Sequence, residues 1–364
     1  MKKFFLLGLC ILTLNILTAQ TQTFKKELTK TFYTNPATTL MIDNYRGDVD
    51  FELWTKNEVE VSVSFEVTTP KVEKAQKYLE GLSASIKTDT NYIEFVSLIN
   101  KNYLDNSFYR GRSSYKINYT VKVPVYLNLT VKNYYGDIHL IESSGNLNVT
   151  LNYGTFTANN LTADENKASP KIEVNYSDCI INKCKWLDID ANNSVVKISD
   201  AQSITAKTAY STITVNDVLN LSLKSKYDKI NIDKVSKINT TLLYSKLHIN
   251  QVLMDVQCVA KYSPVDIDFL SESITNAWFD MVYSDLNLNI SPQVCFNINA
   301  KTKFGKIYLP KRANVNNYIS SIDMKSIGTI GCITGATSKL NIDSNYGNIT
   351  ITDNTMTSHP ASGN

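Results

Sequence analysis

Short segments in which apolar and polar residues alternate run through most of the chain. The segment 210–226 is typical, because Ile213 and Val215 alternate with threonines in its first half. After an Asn-Asp turn, Leu221 and Leu223 alternate with polar residues in its second half. A period of two predicts β-strands with one apolar face, and turn residues mark the corners between them. The segment therefore predicts two or three short strands joined at corners.

This unit recurs along the chain in the form aromatic–small–x–apolar–x–apolar. Copies begin at Tyr135, Tyr153, Tyr210, Tyr227, Tyr244, Tyr262, Tyr283, Phe304 and Tyr346, with weaker copies at Tyr176, Asn193 and Ile327. The step from 193 to 210 and from 210 to 227 is 17 residues by subtraction. One unit buries roughly six apolar side chains, worth about 9–18 kcal/mol, whereas ordering it costs roughly 25 kcal/mol. Units of this kind must stack, which predicts an all-β parallel β-solenoid over 128–353.

An antiparallel meander or sandwich is the alternative fold. Its hairpins would need Asn-Gly or Asp-Gly turns, and the chain has only 13 glycines in 364 residues. The period also matches one coil rather than one hairpin. The pattern therefore favours the solenoid.

The region 24–127 has a different pattern. Alternating apolar residues predict strands over 59–67 and 117–123, and apolar residues spaced as on one helix face predict a short helix over 71–82. The polar stretch 100–114 reads as a loop. We interpret 24–127 as an N-terminal β-rich cap with one short helix, which covers the exposed edge of the first coil.

The two ends carry export and tail signals. Lys2 and Lys3 precede an apolar run that ends near Ala19, which predicts a signal peptide over 1–19. Leu9 before Cys10 is unlike a lipid-attachment motif, which wants a small residue there. No second apolar segment follows, so we expect no transmembrane segment in the mature chain and a location in the periplasm, at the outer-membrane surface or outside the cell. The tail 354–364 lacks a pattern and is predicted to be disordered.

Charge excludes one class of partner. The formal net charge is +3, and the lysines are scattered rather than clustered on one face. A nucleic-acid-binding protein would present a basic patch. We therefore expect no nucleic-acid partner.

Two segments share one longer pattern. The segment 40–51 (LMIDNYRGDVDF) aligns with 129–140 (LTVKNYYGDIHL), and Val-Pro precedes the second copy. With the run of Gly-or-Ser-x-apolar-x-apolar coils, they resemble the bacterial exported β-strand-repeat family labelled "putative adhesin", whose domain has no established function. The resemblance covers roughly 30–353, and many middle coils have Ser where the family pattern favours Gly. It implies a β-solenoid in the cell envelope or outside it, and it implies no catalytic residues.

Five cysteines follow the predicted cleavage site: Cys179, Cys184, Cys258, Cys295 and Cys332. Four of them, all but Cys295, align with inward apolar positions of the repeat, with Cys332 in the slot of Val215. Cysteine behaves there as a small buried hydrophobe. Cys179 and Cys184 are the one close pair, so a disulfide between them stays open in an exported protein. The spacing fits no familiar zinc-ligand pattern, and we predict no metal and no cofactor.

Catalytic candidates are few. Asp266 and Asp268 lie two apart on one outward face, and Asp228 and Asp233 lie on a nearby coil. Paired carboxylates serve glycan-cleaving enzymes, but such pairs are more often solvated surface groups. Arg46-Gly47-Asp48 spells an integrin-type tripeptide, yet the second copy has a Gly-Asp in the same turn. We therefore predict that the chain is not an enzyme.

One row of tyrosines is the sharpest binding hypothesis. The tyrosine of each unit has the parity opposite to the buried isoleucines, so it should point outward or lie at a corner. The row is Tyr210, Tyr227, Tyr244, Tyr262 and Tyr283. Such a row can bind sugar rings by stacking and through its hydroxyls, or it can stiffen the rod by ring-on-ring packing.

We conclude that the sequence predicts an exported, non-catalytic binding or structural module, adhesin-like, of the cell envelope or surface. Its partner would be a glycan, a surface polymer or an envelope protein. A glycan-active lyase or hydrolase on a β-helix and an envelope-signalling scaffold are the alternatives.

Overall fold

A computed structural model of the chain describes residues 21–163, 167–332 and 335–353. The predicted signal peptide and the predicted C-terminal tail lie outside these residues. The described residues are mainly strands with a few helical turns. The all-β prediction is confirmed.

The N-terminal part contains seven strands and two short helices in its described residues. They are β1 (Gln22–Tyr33), β2 (Thr39–Tyr45), β3 (Val49–Leu53), β4 (Glu58–Thr69), α1 (Ala75–Glu80), β5 (Leu82–Asp89), β6 (Tyr92–Ile99), α2 (Asn106–Tyr109) and β7 (Ser114–Val123). Helix α1 is the predicted helix, shortened because a 3-10 turn precedes it and Leu82 begins a strand. The single-turn α2 lies in the stretch predicted as a loop, where the Asp105 carboxylate accepts the Ser107 N–H at 2.8 Å.

The repeat region contributes the remaining strands. The first are β8 (Asn128–Tyr134), β9 (Ile138–Ser143), β10 (Leu147–Asn152), β11 (Thr155–Leu161), β12 (Lys171–Asn175), β13 (Asp178–Asn192), β14 (Val195–Ala209), β15 (Thr212–Lys226), β16 (Lys229–Leu243) and β17 (Lys246–Lys261). The last are β18 (Val265–Leu270), β19 (Asn276–Val282), β20 (Leu286–Ile290), β21 (Phe296–Lys303), β22 (Ile307–Tyr308), β23 (Ala313–Ile319), β24 (Asp323–Ile330), β25 (Ser338–Asn345) and β26 (Ile349–Thr352).

The repeat strands pair in parallel and form two rows. Row one contains β3, β9, β11, the first halves of β13 to β17, β18, β20, β26 and β22. Row two contains β2, β8, β10, β12, the second halves of β13 to β17, β19, β25 and β21. Each coil supplies one strand to each row. We call this arrangement the coil stack.

The apolar residues of both rows point into the space between them. Ile213, Val215 and Val218 of row one are buried, as are Leu221 and Leu223 of row two. The register places Ile213 opposite Ile230 and Leu221 opposite Ile238 in the next coil. Because the same position recurs in each coil, apolar residues stack on apolar residues and form one continuous core.

The N-terminal segment with the repeat-like pattern is the first coil of the stack. Strand β2 pairs with β8, and Leu40 lies opposite Leu129, the register predicted from the two aligned segments. Strands β6 and β7 cover the outer edges of β2 and β3. Strand β5 then pairs with β6, and β4 and β1 follow β7, all antiparallel. The boundary between a cap and a repeat domain at 127/128 stays a prediction.

The C-terminal coils do not stack in chain order. Strand β25 lies between β19 and β21, so the last described coil is inserted into the stack. Strand β24 then pairs antiparallel with both β21 and β23. The prediction of a weak repeat copy at Ile327 is wrong, because Ile327 belongs to this antiparallel hairpin. The sheet is therefore mixed. The all-β part of the prediction is confirmed, and the wholly parallel solenoid is not.

Candidate functional site

The residue that begins each repeat copy has an unusual backbone. Its φ is positive, 53° at Tyr210 and 57° at Tyr227, for example. The described non-glycine residues of this kind are Arg46, Tyr135, Tyr153, Tyr176, Asn193, Tyr210, Tyr227, Tyr244, Tyr262, Tyr283, Phe304 and Tyr346. A left-handed conformation costs an L-residue with a Cβ about 1–2 kcal/mol. A strain repeated at every corner must be offset by contacts that the corner makes.

The aromatic rings at these corners stack on one another. Centroids are 4.9 Å apart for Tyr210 and Tyr227, 5.0 Å for Tyr227 and Tyr244, and 4.8 Å for Tyr244 and Tyr262. Tyr262 and Tyr283 follow at 5.0 Å, and the ring planes differ by 13° at most across these four pairs. Such pairs are worth about 0.5–1.5 kcal/mol each, which is of the size of the backbone cost. All five predicted tyrosines are therefore together in one row at a corner.

The row extends beyond the five predicted residues. Tyr346 stacks on Tyr283 at 4.5 Å, and Phe304 stacks on Tyr346 at 4.7 Å, in the spatial rather than the chain order of the coils. On the other side, Tyr135, Tyr153 and Tyr176 stack at 5.0 and 5.2 Å. We call all these rings the aromatic ladder. Asn193 interrupts it between Tyr176 and Tyr210.

Stacking decides which part of each ring is available. The faces of Tyr227, Tyr244 and Tyr262 are covered by neighbouring rings on both sides, so their exposed surface is the ring edge and the hydroxyl. A sugar cannot stack on these faces as the sequence had suggested. A row of phenol hydroxyls at strand spacing remains. The pKa of the Tyr283 phenol is raised, mainly because the group loses hydration and to a smaller extent because the phenols of Tyr346 and Tyr262 are close. Its hydroxyl therefore stays neutral.

The residue after each ladder residue forms a second, buried row. The N–H of Ser177 donates to the Ser194 hydroxyl at 3.2 Å, and the N–H of Ser194 donates to the Ser211 hydroxyl at 3.1 Å. Each hydroxyl in turn donates to the carbonyl two residues before it, at 2.8 Å for Ser194 and Ser211. Ser245, Ser263 and Ser284 continue this serine ladder. This polar row satisfies corner N–H groups that the strands leave unpaired.

Glycine takes this slot where corners approach more closely. The N–H of Gly136 donates directly to the Tyr153 carbonyl at 3.2 Å, without a side chain between them. A Cβ at Gly136 would collide with the carbonyl oxygen of Gly47 in the preceding coil. The middle coils of this chain use serine instead, which accounts for their departure from the glycine pattern.

One position of the serine ladder is a carboxylate. Asp228 is buried, although the sequence placed it on a solvated face. Its carboxylate accepts the Ser211 N–H at 2.7 Å and the hydroxyls of Thr208 and Ser225 at 2.6 Å each. The Lys226 N–H adds a contact at 3.2 Å. The column of serines at the same offset from the tyrosine is the signal that would have indicated burial.

The cysteines divide into two groups. Cys179, Cys184 and Cys258 are free and buried, so the candidate disulfide between Cys179 and Cys184 is absent. Cys295 and Cys332 form a disulfide instead, with Cα atoms 5.5 Å apart. Cys332 follows the antiparallel strand β24 and does not occupy the slot of Val215, so that prediction is wrong. The bridge ties the start of β21 to the end of the hairpin.

The outward carboxylates contact polar neighbours. Asp266 accepts the Asn287 amide at 2.8 Å, and Asp233 accepts the Asn250 amide at 2.7 Å. Asp268 lies 3.3 Å from Nε2 of His248. Across the described ranges, His, Cys, Asp and Glu do not gather in groups of three that could hold a metal ion.

The integrin-type tripeptide is part of the stack. The Arg46 guanidinium lies over the rings of Tyr115 and Tyr135, at 5.3 and 5.9 Å. The Asp48 carboxylate accepts the Asp137 N–H at 2.9 Å. Both charged groups therefore have structural contacts, which agrees with the interpretation of this segment as a turn.

Shallow grooves follow the outer face of row two beside the ladder. One is lined by residues of four coils, among them Glu173, Asp190 and Lys207. A second shares Asp190 and Lys207 and reaches Asn192 and Ala209, the residues that precede the corner residues Asn193 and Tyr210. Most residues that line the two grooves are polar, but most of the exposed surface that lines them is apolar.

Comparison with known proteins adds a structural similarity and no sequence family. No family model and no curated protein matches the sequence. The chain is similar to a solved "putative cell adhesion protein" from Clostridium sporogenes, at 11% identity over 91% of this chain and 100% of that one, with a TM-score of 0.20. It is also similar to a solved "putative adhesin" from Parabacteroides distasonis, at 11% identity over 66% of this chain and 92% of that one, with a TM-score of 0.31. A solved "putative adhesin" from Bacteroides fragilis is similar at 12% identity over 90% of this chain and 97% of that one, with a TM-score of 0.24. These neighbours carry the label of the family that the sequence resembles, but at such identities and TM-scores they say nothing about a ligand.

Among residues 21–163, 167–332 and 335–353, no helix has both the length and the hydropathy that crossing a membrane requires.

Proposed function

We propose that this chain is an exported, non-catalytic, adhesin-like binding module of the bacterial cell envelope or surface, whose coil stack is a β-solenoid. The observation that carries the proposal is the aromatic ladder. A structural corner could be made with glycine or asparagine, which adopt positive φ at lower cost. Tyrosine at most corners instead gives a line of hydroxyls along one edge of the stack.

The ligand that fits this line is a glycan or another hydroxylated surface polymer. Phenol hydroxyls both donate and accept hydrogen bonds, and a repeating polymer can contact several of them in register. The row-two grooves beside the ladder offer further polar groups. Each contact is weak at an exposed surface, so affinity would come from their number.

Matched variants test the proposal. In the first, Tyr227, Tyr244 and Tyr262 are changed to Phe, which keeps the stacked rings and removes three hydroxyls. In the second, the same residues are changed to Ala, which removes the rings as well. Binding to a broad glycan panel should fall in both variants if the hydroxyls are the contacts. Binding that survives in the Phe variant and in the Ala variant alike would refute a role for the ladder.

A glycan-active enzyme is the second candidate function. The contact between His248 and Asp268, with Asp266 on the same outward face, is the observation that favours it. The assay measures whether the parent protein releases reducing ends or unsaturated sugars from polysaccharides. Release that is lost when Asp266 and Asp268 are both changed to Ala would show that the protein is an enzyme rather than a binding module.

A further inference from the structure

The aromatic ladder has a gap the size of one ring at Asn193. Its backbone keeps the corner conformation, with φ of 52°, and its N–H donates to the Ala209 carbonyl as the ladder residues do in neighbouring coils. Asparagine adopts positive φ more readily than most residues with a Cβ. The corner is therefore intact, and only the ring is missing.

The gap uncovers two aromatic faces. Tyr176 and Tyr210 are 55% and 59% exposed, whereas the rings that have stacked neighbours on both sides are 38% to 47% exposed. Among the described residues, each of the first two has a stacked ring on one side only. These are the faces that a sugar can stack on, in contrast to the covered faces elsewhere in the ladder.

The width of the gap admits one ring. Tyr176 and Tyr210 are two coils apart, which places their rings about 10 Å from each other at about 4.8 Å per strand. A ring between them needs roughly 7–8 Å for carbon contacts on both sides. A puckered pyranose is slightly thicker than a planar ring and fills this space.

The surroundings of the gap are polar, which favours a sugar over an aromatic side chain as its occupant. Asn193 is exposed at the position of the missing ring. The neighbouring Asn175 and Asn192 amides already donate to Glu173 at 3.3 Å and Asp190 at 3.0 Å, so Asn193 is the amide that this site offers. Amide groups donate and accept hydrogen bonds with the hydroxyls around a pyranose, whereas the edge of a phenyl ring offers them no acceptor. The groove that reaches Asn192 begins beside the gap and can receive the next unit of a chain.

We infer that the gap between Tyr176 and Tyr210 is a subsite for one hexopyranose ring of a glycan, held between two tyrosine faces and hydrogen-bonded by Asn193. This inference deepens the proposed binding function and rests on it. It assigns one specific position on the stack, whereas the hydroxyl row contributes weaker contacts along its length.

The test uses the protein with four probes: the methyl pyranosides of glucose, galactose, mannose and N-acetylglucosamine. NMR saturation transfer measures contact, and upfield shifts of the sugar C–H protons report aromatic faces on both sides. Asn193→Tyr completes the ladder and closes the gap, and its backbone is already suited to tyrosine. Asn193→Ala is the matched variant, which keeps the gap and removes the amide.

We expect at least one glycoside to bind the parent and to show upfield-shifted C–H protons. The same glycoside should bind Asn193→Ala more weakly and should not bind Asn193→Tyr. The unfolding midpoint of Asn193→Tyr should equal or exceed that of the parent. Equal binding by the parent and Asn193→Tyr would overturn the subsite, as would binding of p-cresol without any glycoside. A different result would refute the subsite and leave the proposed function standing. In that case no glycoside binds, the parent and Asn193→Tyr bind the glycan panel equally, and the variant with Tyr227, Tyr244 and Tyr262 changed to Ala does not bind it.

Discussion

Changing Asp228 to Ala should destabilise the coil stack strongly. The buried carboxylate is the acceptor for the Ser211 N–H and for the hydroxyls of Thr208 and Ser225. Alanine leaves these three buried donors without their acceptor, and each such loss costs about 1–3 kcal/mol. Since the hydroxyls can rotate toward other acceptors, we expect a loss near the low end of the sum, about 3–5 kcal/mol in the free energy of unfolding.

Two matched variants separate this effect from the loss of a charge. Asp228→Ser restores the acceptor that Ser211 and Ser245 provide in neighbouring coils, so it should recover more than half of the loss. Asp233→Ala removes an exposed carboxylate from the same coil, and surface changes of this kind stay within about 0.5 kcal/mol.

Urea unfolding followed by circular dichroism measures the three variants, and amide hydrogen exchange reports the Ser211 N–H directly. Faster exchange at Ser211 in the Ala variant, reversed in the Ser variant, is the expected pattern. An Asp228→Ala variant as stable as Asp233→Ala would show that the Asp228 carboxylate does not satisfy the corner donors.

Three further predictions concern the ladder and the cysteines. Tyr244→Ala removes two stacked contacts and should cost about 1–3 kcal/mol in urea unfolding, whereas Tyr244→Phe should cost little, and equal losses would contradict stacking. Burial raises the pKa of Cys258 to about 12, so its thiol is protonated at neutral pH, and iodoacetamide should label it only after unfolding; rapid labelling of the folded protein would contradict its burial. Cys295→Ser opens a disulfide that spans 37 residues and should cost up to about 4 kcal/mol, with Cys332→Ser equivalent; an unchanged unfolding midpoint would show that the bridge adds no stability.

The repeat made much of the stack predictable. When a period of 17 residues brings the same position of each coil together, parity decides which residues are inside, and Ile213 and Leu221 are buried as expected. The same logic placed the tyrosines of the ladder in one row. It could not say that neighbouring rings cover one another's faces, because that depends on the coil spacing and on the side-chain conformation at a positive-φ corner.

Long-range choices were not readable from the local pattern. Strand β25 pairs with β19 and β21 because the chain first makes a hairpin and then returns into the stack. An alternating segment gives no indication of which neighbour it will choose, so Ile327 was misassigned. The pairing of Cys295 with Cys332 follows from the antiparallel pairing of β24 with β21, which places Ile330 opposite Phe296, and was therefore missed as well.

Recognition by the aromatic ladder is tested by measuring how the labelled protein binds to intact bacterial cells, beside the variant with Tyr227, Tyr244 and Tyr262 changed to Ala. We expect the parent to bind and the variant, with unchanged β-type circular dichroism, to lose most of this binding. Equal binding by the two folded proteins would contradict the claim that the aromatic ladder is a recognition surface and would leave it a structural corner.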